Sequence, residues 1–162
     1  MNQLVLFNPA MMRQKLTVDE IIKCNDVTCY YGLDLTAKEA RQLVEAQTET
    51  LLRHGRVEFT GGIIQKLILT FCNSPFLFKD NYAENLFDLL ETFYYFKNEM
   101  LDEIGDDELL SLMKDYFDHN CQGSIELLQN RELETLARSI RFGMYCSGEA
   151  EEEYDAGEDY DE

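Results

Sequence analysis

Apolar residues recur at three- and four-residue intervals along most of this chain, the spacing of one buried helix face. The clearest run follows TAKE, Thr36 to Glu39, where Ala40, Leu43, Val44, Gln47 and Leu51 share a face. Thr36 can accept from the amide three residues on while Glu39 reaches back, so TAKE predicts a helix start. Gly55 stands where a helix C-terminal glycine belongs. TVDE, Thr17 to Glu20, repeats the capping pattern and predicts a helix to Lys23 or Asn25. Residues 1–16, with the apolar LVLF, read as an N-terminal arm before it, and DVTCYYGLDL fits neither period.

IIQKLILTF is apolar almost all round and reads as a buried helix, with a strand as the alternative; Pro75 ends it. Residues 81 to 104 read as the longest helix. Leu86, Leu89, Phe93, Phe96, Met100 and Ile104 form one stripe, and Phe87, Leu90, Tyr94 and Leu101 a second beside it. A band that wide suits a central helix or one that also meets a second copy in a homo-oligomer. Gly105 breaks the pattern and Asp106 can cap DELLSLMKDYFDH, with Leu109, Met113, Tyr116 and Phe117 inward. Ser124 opens a last helix carrying Ile125, Leu128, Leu133, Leu136 and Ile140, with Arg131, Arg138 and Arg141 on its polar side. The expected fold is all-α: a compact single-domain bundle of five or six helices over residues 17–146, followed by a disordered acidic C-terminal tail over 147–162.

Charge narrows the function classes. The 162 residues carry a net charge of −18. The last fourteen, EAEEEYDAGEDYDE, hold nine carboxylates and no base; the remainder has 23 acidic against 14 basic residues, a net of −9. That balance argues against direct binding to nucleic-acid phosphates or an anionic membrane, both of which select basic faces. No stretch is long and apolar enough to span a bilayer, and the N-terminus lacks the pattern of a secretory signal. Cys24, Cys29, Cys72, Cys121 and Cys146 are scattered and odd in number, which points to reduced thiols in a cytoplasm.

Candidate chemistry is sparse. HGRVEFTGG, residues 54–62, lacks the strand–loop–helix context and the spacing of a phosphate loop. It reads as a connector in which Gly55 closes one helix and Thr60 or Gly61 opens the next. Val57 and Phe59 would anchor it in the core, leaving Arg56 and Glu58 opposite, with Arg56 partly buried against a carboxylate. FYYFKNE sets Lys97, Asn98 and Glu99 in the most aromatic segment, a solvated face or a polar cluster in an aromatic groove. DYFDHNCQG is the best metal candidate: Asp115 and His119 are four apart, with Asp118 and Cys121 nearby and Glu91 or Glu99 as further donors. It lacks every recognised ligand spacing, so no metal and no cofactor is expected. Candidate binding residues are therefore Arg56, Glu58, Lys97, Asn98, Glu99, Asp118 and Gln122; no catalytic residue is singled out.

The pieces GRVEF, FCNSP, FYYFKNE, DDELL and CQGS, within residues 32 to 142, resemble a family of bacterial proteins known only as a domain of unknown function. The resemblance implies a bacterial, cytoplasmic protein and supplies no activity. The reading carried forward is a helical domain that binds a protein partner, a basic one given the charge. The rivals are a metal-dependent or small-molecule enzyme using residues 115–123, and an acidic nucleic-acid mimic that inhibits a DNA-binding protein.

Overall fold

The computed structural model describes residues 9–57 and 62–145. Glu58, Phe59, Cys146 and the acidic tail lie outside them, as does the LVLF segment. The protein is all-α. Its elements are α1 (Pro9–Lys23), α2 (Asn25–Thr28), α3 (Ala37–His54), α4 (Gly62–Phe71), α5 (Tyr82–Glu99), α6 (Asp106–Asp115), α7 (Ile125–Leu127) and α8 (Leu133–Arg141). Six of these run nine residues or longer among the described residues, within the five or six that the periodicity predicts. None is long and apolar enough to cross a membrane.

Local signals set several boundaries. Thr36 and Glu39 form the reciprocal capping box, and Gly55 closes α3 in the left-handed region at φ 64°. The expected face of α3 is buried through Ala40, Leu43, Val44 and Gln47, with Thr50 rather than Leu51 completing it. The ambiguous segment after α1 folds as α2 and a 3-10 turn over Cys29–Tyr31. The Asn25 side chain holds it by bonding both the carbonyl and the amide of Leu35 at 3.0 and 2.9 Å. IIQKLILTF is helical, with Ile63, Ile64, Leu67, Ile68 and Phe71 buried.

Three boundaries differ from expectation. α1 starts at Pro9, inside the stretch read as an arm. Proline is pre-set for a first helical position, where no amide is needed, so TVDE lies within the helix and opens nothing. α5 stops at Glu99, five residues before Ile104, and so matches α3 in length instead of exceeding it. Gly105, not Asp106, occupies the cap position of α6, and no side chain caps it. Asp106 is drawn instead onto the Lys97 ammonium at 2.9 Å.

The final helices carry two π turns, Tyr116–Asn120 and Leu128–Glu132. The second explains an oddity of spacing. Leu128 and Leu133 are five apart, which an α-helix would place on different faces; the wider turn brings both to zero exposure.

Side-chain pairings fix the helix directions. Along α3 and α5, Gln47 bonds Tyr94, His54 meets Asn98 and Arg56 meets Asp102, so the two helices run in parallel. Along α5 and the last helix, Gln129 bonds Thr92 and Arg141 bonds Glu99, so α8 runs the same way. α4 and α6 return in the opposite sense, paired by Lys66 to Asp107, Phe71 to Phe117 and Ser74 to Asp118. The C-termini of α3, α5 and α8 therefore share one end of the bundle with the N-terminus of α6. α5 is central, as its two stripes predict: Leu86, Leu89, Leu90, Phe93 and Tyr94 have zero exposure.

Candidate functional site

Three helix ends close in one way. Arg56 N–H bonds the Leu51 carbonyl, Asp102 N–H bonds the Lys97 carbonyl and Met144 N–H bonds the Ser139 carbonyl, at 2.9, 3.0 and 2.7 Å. Each is the six-to-one bond of a Schellman ending, which requires a left-handed residue just before its donor. Gly55 and Gly143 fill that place for α3 and α8, at φ 64° and 71°. In α5 the place belongs to Leu101, at φ 55°, followed by Asp102 at φ 58°. A left-handed leucine costs on the order of 1–2 kcal/mol that glycine would avoid.

Side chains brace this turn. Arg56 grips Asp102 with both terminal nitrogens, at 2.6 and 3.2 Å, and donates to Asn98 Oδ1 at 2.7 Å. Lys97, with a side chain only 7% exposed, donates to the Ile104 carbonyl at 2.7 Å and pairs with Asp106 at 2.9 Å and Asp102 at 3.7 Å. Arginine has no acceptor, so the Asn98 oxygen must face Arg56 and its amide nitrogen must face His54 Nδ1. His54 thereby accepts on Nδ1 and carries its proton on Nε2. The cations also sit against the carbonyl ends of α3 and α5, where positive charge is favoured.

The hydrogen bonds from Arg56 lower the Asp102 pKa; burial opposes this, and the charges of Arg56 and Lys97 reinforce it. A carboxyl with a lowered pKa stabilises the fold above its unfolded value, about 3.9, and loses that contribution as the pH falls through the lower folded value. Asp102→Asn tolerates the left-handed backbone. It should melt earlier than wild type at neutral pH, and the gap should shrink as the pH is taken below about 4. Thermal melts across that range check it; a gap independent of pH would mean the Asp102 charge contributes nothing.

Beside this network a cleft of about 340 Å³ opens between α3, α5 and the last helix. Arg53 and His54 come from α3, Glu91 and Tyr95 from α5, and Gln129 and Glu134 from the far wall. Arg53 and Glu91 are 3.9 Å apart and well exposed. Glu134 is engaged by Arg138 at 3.4 Å and Arg141 at 3.6 Å. Gln129 donates to Thr92 Oγ1, which donates to the Asp88 carbonyl.

The sequence candidates fall into two places. Arg56, Lys97 and Asn98 meet in one network, and Glu99 lies beside it, accepting from Arg141 at 3.0 Å. Of the two readings of KNE, the solvated face fails at Lys97, which is buried; a cleft lined by Tyr95 and Phe96 lies along the preceding turns of α5, and Asn98 backs His54. Asp118 and Gln122 lie elsewhere. Asp118 accepts from Ser74 at 2.6 Å and pairs with Lys114 at 2.7 Å, tying α6 to the loop after α4. Gln122 sits at φ 49° in the turn before α7. In the metal candidate, His119 turns to Asp115 at 3.2 Å on the surface and Cys121 is buried; no group of three or more His, Cys, Asp or Glu side chains placed to hold a metal occurs among the described residues. Val57, expected in the core, is 75% exposed. Arg56 takes the inward direction towards Asp102, so its neighbour points out. The sequence reading missed His54, Arg53, Tyr95 and Gln129 as cleft residues; the nearest signal was His54 beside Arg56, a histidine next to a residue already read as partly buried.

The arrangement defines a helical-bundle domain with a braced polar network at one end and a cleft beside it. The chain belongs to a family of unknown function, DUF6323, which it matches over residues 20–146. No curated protein and no solved structure matches it.

Proposed function

We propose that this is a bacterial, cytoplasmic protein-binding domain. In this reading the bundle end bearing the C-termini of α3, α5 and α8 docks a basic, amphipathic helix of a partner protein. The observation that carries the reading is Leu101, an exposed leucine in a left-handed position that glycine would fill at lower cost. Val57, Leu101, Phe142 and Met144, each 67–75% exposed, share that end. Apolar side chains grouped in this way mark interaction surfaces more often than scattered ones do. The charge selects the partner. Residues 102–108 contribute five carboxylates and Glu99 a sixth, against Arg56, Lys66, Lys97 and Arg141. The carbonyl ends of three helices add partial negative charge, against the single amide end of α6. The cytoplasmic assignment is supported by Cys24, Cys29, Cys72 and Cys121, all free thiols.

The test is calorimetric titration with a synthetic leucine–lysine amphipathic helix and its leucine–glutamate counterpart. The lysine peptide should bind in a salt-dependent way and the glutamate peptide should not. Leu101→Gly should raise stability by about 0.5–1 kcal/mol, the left-handed strain relieved less the added chain entropy of glycine. The same change should weaken peptide binding about tenfold or more, the value of one buried leucine. Unchanged affinity in Leu101→Gly, or dimerisation through this face in place of peptide binding, would overturn the proposal.

A further inference from the structure

From the cleft between α3, α5 and α8 we infer a second site, distinct from the apolar bundle end, that takes a free amino-acid zwitterion with an apolar or aromatic side chain. Its volume of about 340 Å³ lies at the small-ligand end of the usual range for binding pockets. Its charges are balanced. Arg53 and Glu91 oppose one another, Glu134 is engaged by Arg138 and by Arg141, which also bonds Glu99, and His54 turns Nδ1 to the Asn98 amide. A dianion or a dication would leave charge uncompensated there; a zwitterion would not.

Arg53 and Glu91 stand 3.9 Å apart, at the outer limit of an ion pair, with side chains 62% and 58% exposed. Water screens so loose a pair, and little of it is lost when each partner turns to a ligand group instead, although Arg53 also donates to Thr50 Oγ1 at 3.2 Å. Arg53 then takes the ligand carboxylate as a two-pronged donor, with His54 Nε2–H on the same helix as a further donor. Glu91 takes the ammonium, and the half-exposed ring of Tyr95, one helical turn along α5, offers its face to the ammonium and the ligand side chain. His54 is fixed by Asn98, which Arg56 fixes in turn, so this one donor is in place before a ligand arrives.

The probe is L-phenylalanine, compared by calorimetry with N-acetyl-L-phenylalanine, which lacks the ammonium, and L-phenylalanine amide, which lacks the carboxylate. L-Phenylalanine should bind saturably and each analogue at least tenfold more weakly. Arg53→Gln should abolish the difference between L-phenylalanine and its amide, and Glu91→Gln the difference from the N-acetyl compound. Both side chains are largely exposed, so thermal midpoints should stay at the wild-type value and confirm an intact fold. Absence of saturable binding up to about 10 mM, well above the millimolar affinity of a weak site, would overturn the inference. So would an analogue binding as tightly as L-phenylalanine, or unchanged binding in both variants.

Discussion

Phe117→Ala should destabilise the domain by about 3–5 kcal/mol, the range for deleting a fully buried aromatic ring. Phe117 has zero exposure and stands in the π turn that ends α6. Its ring meets Phe71 edge-on at 5.5 Å and Phe76 at 6.4 Å, which joins the end of α4, the loop after it and α6. The turn cannot easily collapse into the space left behind. The Phe117 carbonyl accepts from the Gly123 amide at 2.8 Å, and Gly123 lies so close to Phe76 that a Cβ there would come within 2.6 Å of it. Denaturant melts should show a much lower midpoint with an unchanged slope. A loss under about 1 kcal/mol would mean the site repacks and the ring is not a keystone.

Lys97→Met should cost about 2–3 kcal/mol, less than Phe117→Ala although it breaks several contacts. Methionine keeps the bulk of the stem and removes the ammonium. The Ile104 carbonyl then loses its donor at a buried position, which costs about 1–3 kcal/mol. Breaking a fully buried ion pair would cost about 3–5 kcal/mol, but Asp106 and Asp102 are 42% and 53% exposed and can regain water. Asp102 also keeps Arg56. Equilibrium urea unfolding of the variant beside wild type measures this; a neutral result would mean Lys97 does not hold the turn between α5 and α6.

What could be read from the sequence was what neighbouring residues decide among themselves. The Thr36–Glu39 box, the Gly55 ending and the stripes of α5 needed no tertiary partner to be recognised. The partly buried Arg56 was legible as well, because an arginine beside apolar residues must find a carboxylate. The end of α5 was not. The apolar pattern runs on through Met100, Leu101 and Ile104, and the chain turns where Lys97 of α5 and Arg56, just past the end of α3, converge on Asp102. Val57 was misjudged for the same reason: strand-like alternation was assumed, and the direction was set by where Arg56 found its partner. The cleft was hidden by composition. Glu91 and Glu134 are two carboxylates among 32, and only the parallel packing of α3, α5 and α8 distinguishes them. The π turn over Leu128–Glu132 was not read either: Leu128 and Leu133 were placed on one ordinary helix although they stand five apart.

The most direct test of the proposed docking end is a chemical-shift map of the backbone amides and methyl groups as the leucine–lysine peptide is added. The largest changes should fall at Val57, Leu101, Phe142 and Met144, with the opposite end of the bundle, around the start of α3 and the turn at Gly123, unmoved. Changes centred on the opposite end, or none at saturating peptide, would contradict it.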